Sequence, residues 1–183
     1  MNELETRLEG LRLFEPRVMN DSRGWFYEAF QAERYAELGS FVQDNVSFSH
    51  PGVLRGIHLQ NPHPQGKLIQ VLQGRVWDVA VDLRAGSPTF GEWEGHELSV
   101  ENHRQYFIPG GFGHGFVVLD GPALLSYKCT DYYHGPSELT VLWNDPDLAI
   151  RWPASDGLTI SEKDLGGVPA RSLPEDRLVP YRR

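Results

Sequence analysis

The sequence predicts an all-β domain, a sandwich or a barrel, and three observations carry that expectation. Short runs rich in Val, Ile, Phe, Tyr and Trp recur at regular spacing. Several of them alternate apolar and polar residues with the period of a half-buried strand. The 19 glycines and 13 prolines are spread along the chain and punctuate these runs with turns. Many short strands separated by turn signals are the pattern of sandwiches and barrels.

Taken in order, a short helix is expected over residues 31–38. A strand follows over 42–49, with Gln43, Asn45, Ser47 and Ser49 on one face and Val42, Val46 and Phe48 on the other. The segment 52–60 is apolar and strand-like but contains Arg55, His58 and Gln60. Residues 67–72 form the next strand, closed by a turn at Gln73-Gly74. Residues 75–84 alternate, with Trp77, Val79, Val81 and Leu83 on one face and Val76, Asp78, Ala80 and Asp82 on the other. Runs over 105–108, 112–119, 123–130 and 139–143 complete the series. Pro109-Gly110-Gly111, Gly121-Pro122 and Asn144-Asp145-Pro146 supply turns, and a helical turn starts at Ser161. There is no internal repeat, low-complexity segment or linker, so residues 1–183 read as one domain, which is long enough to bury a sizeable core.

Hydrophobic residues make up 40% and charged residues 23%, as in ordinary globular proteins. The net charge of −8 argues against nucleic acid as a partner, because a phosphate backbone needs clustered Lys and Arg. A small phosphorylated ligand held by a few basic side chains is still compatible. Cys129 is the only cysteine, so no internal disulfide and no thiolate metal cluster can form. The chain opens Met1-Asn2-Glu3-Leu4-Glu5 with no apolar signal region, and no run is long enough to span a membrane. A cytoplasmic location is the expectation.

His58 is the residue that most needs explaining. A polar ring in an apolar strand is costly to bury unless it is bonded, and histidine is the side chain best suited to proton transfer near neutral pH. It is either a well-bonded core histidine or a general base. Strict alternation puts His58 and Arg55 on opposite faces, so they serve one site only if the strand breaks its period. Gly56 lies between them, where a glycine marks a bulge or a close backbone approach.

Other residues carry paired readings. Lys67 is an edge lysine or a cation aimed at developing negative charge. Asp78 belongs to a solvated face, or orients a histidine if that face looks into a barrel. His114, flanked by glycines and aromatics, is a turn residue or a pocket residue. Tyr127 is core packing or a general acid. Asp164, three residues after Ser161, caps a helix start or does chemistry. A metal triad of His58, His114 and Asp78 is the weakest of these readings, because no second histidine sits beside His58 at the usual metal-site offset.

Together these pieces resemble the dTDP-4-dehydrorhamnose 3,5-epimerase family. The resemblance runs in order through Asp21–Glu28, Gln43-Asp44-Asn45, Val53–Gln60, Gln65–Leu68, Asp78–Arg84, Ser87–Gly91, Ile108–Phe116, Tyr127-Lys128, Trp143–Pro146 and Ser161–Asp164. It implies a cupin-like double-stranded jelly roll with short peripheral helices, needing neither metal nor cofactor. The implied substrate is a dTDP-linked 4-keto-6-deoxyhexose, epimerised at C3 and C5 through an enolate in deoxysugar biosynthesis.

The resemblance also implies roles. His58 is the base, Asp164 its carboxylate partner, Tyr127 the acid on the opposite face, and Lys67 the enolate stabiliser, with His114 in the sugar site. Arg23, Glu28, Gln43, Asp44, Asn45, Arg55, Glu138 and Lys163 hold the nucleotide diphosphate and base, and Phe26 and Tyr133 stack on the thymine. A homodimer is implied, with Arg23 and Glu28 reaching into the partner's site. A mono-epimerase of a natural-product sugar pathway has the same base and acid. A non-catalytic sugar-nucleotide binder would not need Tyr127 opposite His58.

Overall fold

The computed structural model describes residues 1–153 and 157–182. Its strands are β1 (Asn2–Leu4), β2 (Arg12–Glu15), β3 (Met19–Asp21), β4 (Gly24–Phe26), β5 (Gln43–Ser49) and β6 (Leu54–Gln60). β7 (Lys67–Asp82), β8 (Trp93–Ser99), β9 (Gln105–Ile108), β10 (Phe112–Cys129) and β11 (Glu138–Thr140) follow. Among the described residues, helical structure is confined to one α-turn, α1 (Glu162–Leu165), and short 3₁₀ turns.

Nine strands form one antiparallel sheet in the order β1-β2-β9-β7-β10-β6-β11, with β5 added to β10 and β8 added to β7. β7 and β10 are the spine, paired with each other from Phe112↔Asp82 to Cys129↔Lys67. Each changes its other partner part-way along. β7 pairs β9 through residues 67–70 and β8 through 75–81. β10 pairs β6 near 114–117 and β5 through 123–129. The sheet therefore branches and folds over on itself, which is the cupin-like jelly roll. β3 and β4 form a separate two-stranded hairpin.

The main core gathers Leu13, Ile69, Val71, Val76, Tyr106, Ile108, Phe112, Phe116 and Leu125 from β2, β7, β9 and β10. A second cluster joins Ile57 of β6 and Val79 and Val81 of β7 to Ala170, Leu173 and Leu178 near the C-terminus. Both faces of β7 are thus covered, and each such aliphatic side chain contributes about 1.5–3 kcal/mol relative to exposure.

Several elements differ from expectation. The turns expected at Gln73-Gly74 and Gly121-Pro122 are bends within β7 and β10, marked by register shifts between Val118 and Leu125. Gly74 has φ +76, and a Cβ there would lie 2.5 Å from the Pro122 carbonyl, so the two bends nest against each other. A strand whose neighbour bends with it keeps its ladder and has no reason to turn back. The helix expected over 31–38 reduces to Ala36–Leu38, because Tyr35 is buried against Phe14 and Phe30 and Gly39 at φ +100 ends the turn. β8 carries too many polar residues to announce itself, and the strands before residue 27 are too short to show a period. The 139–143 run is observed as Glu138–Thr140.

Candidate active site

Pairing between β6 and β10 slips by one residue: His58 faces His114 but Arg55 faces Phe116. The extra residue on β6 is a bulge centred on Gly56, whose φ is +118. A Cβ at Gly56 would lie 2.5 Å from Gly115 Cα and 2.7 Å from the His114 carbonyl, so only glycine fits. The broken period turns Arg55 and His58 toward the same cavity, as their joint use of one site requires.

That cavity has a volume of about 280 Å³, and its walls include His58, Lys67, His114, Tyr127, Lys163 and Asp164. His58 Nε2 lies 2.6 Å from Asp164 Oδ1, while Asp164 Oδ2 accepts the Gly56 backbone N–H at 3.2 Å. Burial pushes the Asp164 pKa up, but the His58 hydrogen bond and charge and the Gly56 N–H outweigh it, and the net shift is downward. Asp164 is therefore a carboxylate at neutral pH and can only accept, which places the imidazole proton on Nε2 and leaves the Nδ1 lone pair free. Ser161 caps α1 by accepting the Asp164 N–H at 3.2 Å. Only half of the capping box is present: the Asp164 carboxylate is turned to His58 instead of back to the cap.

His114 Nε2 lies 3.0 Å from both oxygens of the fully buried Asp78. Asp78 therefore orients a histidine from the barrel interior. Burial lowers the His114 pKa against the opposing pull of Asp78, so its ring is neutral at pH 7. Burial likewise lowers the Lys67 pKa, countered by Cys129, Asp78 and Glu138. Burial raises the Tyr127 pKa, which keeps its phenol protonated at neutral pH.

A chain of polar contacts extends from the cavity-wall residue Lys163. Tyr133 donates its backbone N–H to Gln43 Oε1 at 2.9 Å and its hydroxyl to Glu138 Oε2 at 3.1 Å. Lys163 Nζ pairs with Glu138 Oε1 at 2.7 Å. Gln43 donates to Asn45 at 3.1 Å, and Asn45 to the Cys129 thiol at 3.6 Å. Arg55 Nε donates to Ser49 at 2.9 Å. Asp44 faces away, paired with Lys128 at 2.9 Å.

Arg23, Phe26 and Glu28 are not brought to this cavity within the chain. Arg23 sits at the tip of the β3–β4 hairpin, bonded to Asp21, and Phe26 is exposed on it. Glu28 pairs with Arg34 at 2.5 Å. Sequence reasoning missed Ser47, Phe116, Leu125 and Ser161 as cavity walls. Alternation was the available signal, since each of the first three lies two residues from a candidate already on the same face: Asn45, His114 or Tyr127.

Residues 5–171 match the family model for dTDP-4-dehydrorhamnose 3,5-epimerase. The chain belongs to the dTDP-4-dehydrorhamnose 3,5-epimerase family. It is 53% identical over 159 residues to the dTDP-4-dehydrorhamnose 3,5-epimerase of Pseudomonas aeruginosa, covering 85% of this chain and 88% of that one. Its structure superposes with TM-score 0.96 and 49% identity on a Legionella pneumophila dTDP-6-deoxy-D-glucose-3,5-epimerase in complex with dTDP-4-keto-L-rhamnose, covering 100% of this chain and 99% of that one. A 3′-monoepimerase from Streptomyces bikiniensis in complex with dTDP-quinovose superposes at 0.86 with 35% identity, covering 91% and 87%. Among the described residues no helix is long and apolar enough to cross a membrane.

Proposed function

We propose that this epimerase inverts C3 and C5 of dTDP-4-dehydro-6-deoxy-D-glucose to give dTDP-4-dehydro-L-rhamnose, with residues 1–183 acting as one domain. The observation that carries the reading is the His58–Asp164 pair at 2.6 Å in a cavity whose wall also contains Tyr127 and Lys67. The C4 ketone acidifies the neighbouring C–H bonds. His58 Nδ1 takes the proton, and the electron pair moves to the carbonyl oxygen as an enolate. Lys67 stabilises that developing charge, where a preorganised cation is most effective. Tyr127, held protonated by its burial, returns a proton from the opposite face. Asp164 fixes the imidazole tautomer and stabilises the imidazolium that forms.

His114, oriented by Asp78, borders the sugar. Arg55, Lys163 and Glu138 with Gln43 and Asn45 take the nucleotide diphosphate and base, and Tyr133 stacks on the base, while Asp44 is turned away to Lys128. Arg23, Phe26 and Glu28 complete the site of a second copy in a homodimer. The exposed hairpin and the outward-facing Val46 and Phe48 support that assembly. A free, buried Cys129 suits a cytoplasmic enzyme.

The test is solvent exchange. In D₂O the wild-type protein places deuterium at both C3 and C5 of the sugar, read by NMR, and His58→Ala lowers both exchange rates by at least about 10²-fold. Near-wild-type exchange in His58→Ala would sink the assignment. A single labelled carbon in the wild-type product would identify a mono-epimerase.

A further inference from the structure

His58 and Lys67 are walls of two cavities. Besides the substrate cavity, they border a chamber of about 30 Å³ lined also by Gln65, Tyr133 and Glu138. We propose that this chamber holds the water through which His58 sheds its proton between the two epimerisations, while the sugar stays bound. The inference rests on the double-epimerase reading and adds the route by which one base works twice.

The need for such a route is stereochemical. In the gluco-configured chair the C3 and C5 hydrogens are both axial on the same ring face, so one base serves both carbons. After the first inversion His58 carries a proton and Tyr127 has lost one. Neither can act again until each is reset, and a sugar bound between them would occupy the cavity that both line. A double epimerase therefore needs a proton exit on the side of the base that the sugar does not cover.

The chamber has the required properties. A water needs roughly 10–15 Å³ and two to four polar partners, and Gln65, Glu138, Lys67 and His58 supply them. Glu138 is ionised: burial raises its pKa, but Lys163 and the neighbouring His58 and Tyr133 outweigh that and lower it overall. Its carboxylate accepts the hydroxyl of Tyr133, which also lines the chamber and is more than half exposed. The balance is simple. The C–H pair becomes the enolate, the proton passes from the imidazolium to water and out past Glu138, and solvent returns one proton to the Tyr127 phenolate. Charge and protons are conserved over each inversion.

Gln65 borders the chamber and not the substrate cavity. Gln65→Leu makes that wall apolar, and Gln65→Met removes only the amide at nearly constant length. Quenched single turnovers in D₂O, read by mass spectrometry of the sugar, measure the first and second deuterium separately. We expect the first label within about twofold of wild type and the second slowed at least about tenfold, so that singly labelled sugar accumulates. An unchanged ratio of single to double label would overturn the proposal. So would equal slowing of both steps, because Gln65 also donates to the Asp131 carbonyl at 2.8 Å and a loosened loop would act on both. Failure of the epimerase reading looks different: the wild-type protein itself would label neither carbon.

Discussion

At Gly56 a single methyl group would meet Gly115 Cα at 2.5 Å on a backbone already at φ +118. The neighbouring strand is main chain at that point and has no flexible side chain to yield. Gly56→Ala should therefore cost at least about 2 kcal/mol and lose activity out of proportion, since the bulge aims both Arg55 and His58. Thermal unfolding and exchange at one temperature check this together, and a variant with wild-type values for both would refute the bulge argument. Asp164→Asn tests the pair from the other side. The amide still accepts from the Gly56 N–H but no longer enforces the Nε2–H tautomer. Exchange should fall about 10²–10⁴-fold, far more than the accompanying drop in melting temperature explains. His58 could be singled out as a base or a bonded core residue from its apolar setting alone. Its partner lies 106 positions away on α1, and no local pattern points to it. The resemblance supplied Asp164 where periodicity could not.

β5 is a strand turned inside out. Its polar residues Gln43, Asn45 and Ser47 face inward, toward the cavity side, while Val46 and Phe48 are 67% and 50% exposed. The alternation was legible, but the direction of each face was not. Period alone says which residues share a face and leaves open which face meets the core. Apolar side chains this exposed on an edge strand are what the proposed dimer would cover. Val46→Asp combined with Phe48→Asp should convert the proposed dimer to monomer in sedimentation velocity. It should also reduce exchange, because Arg23 and Glu28 would no longer reach a second site. A monomer with full activity would rule out their action in trans. β7 and β10 give the complementary lesson. Glycine and proline at 73–74 and 121–122 read as turns, yet each strand continues because the other bends at the same level. That mutual support is long-range and does not appear in either segment alone.

Across the molecule, pH stability follows from the buried pairs. His114 has its pKa lowered from 6.5 by burial, so the unfolded chain binds a proton there before the folded one does. Its contribution is fully present above about pH 6.5 and is lost as pH falls toward the depressed folded value. Asp164 and Glu138 have lowered carboxyl pKa values, so their contributions hold above the ordinary carboxylate range and are lost in acid below it. The melting temperature should thus fall in two stages, one starting below about pH 6.5 and one below about pH 4. His114→Gln should remove the first stage and keep the second, and an unaltered first stage would show that another group carries it. The sequence by itself determined the all-β class, the strands of the β5–β7, β9 and β10 regions and the family, because periodicity and ordered motifs are local or nearly so. Only the tertiary structure decided that Asp78 faces inward to His114, that β6 bulges, and that His58 and Lys67 stand between two cavities. Those outcomes depend on which distant backbone lies opposite each residue, and chain closure over a hundred positions sets that, which no window of sequence contains.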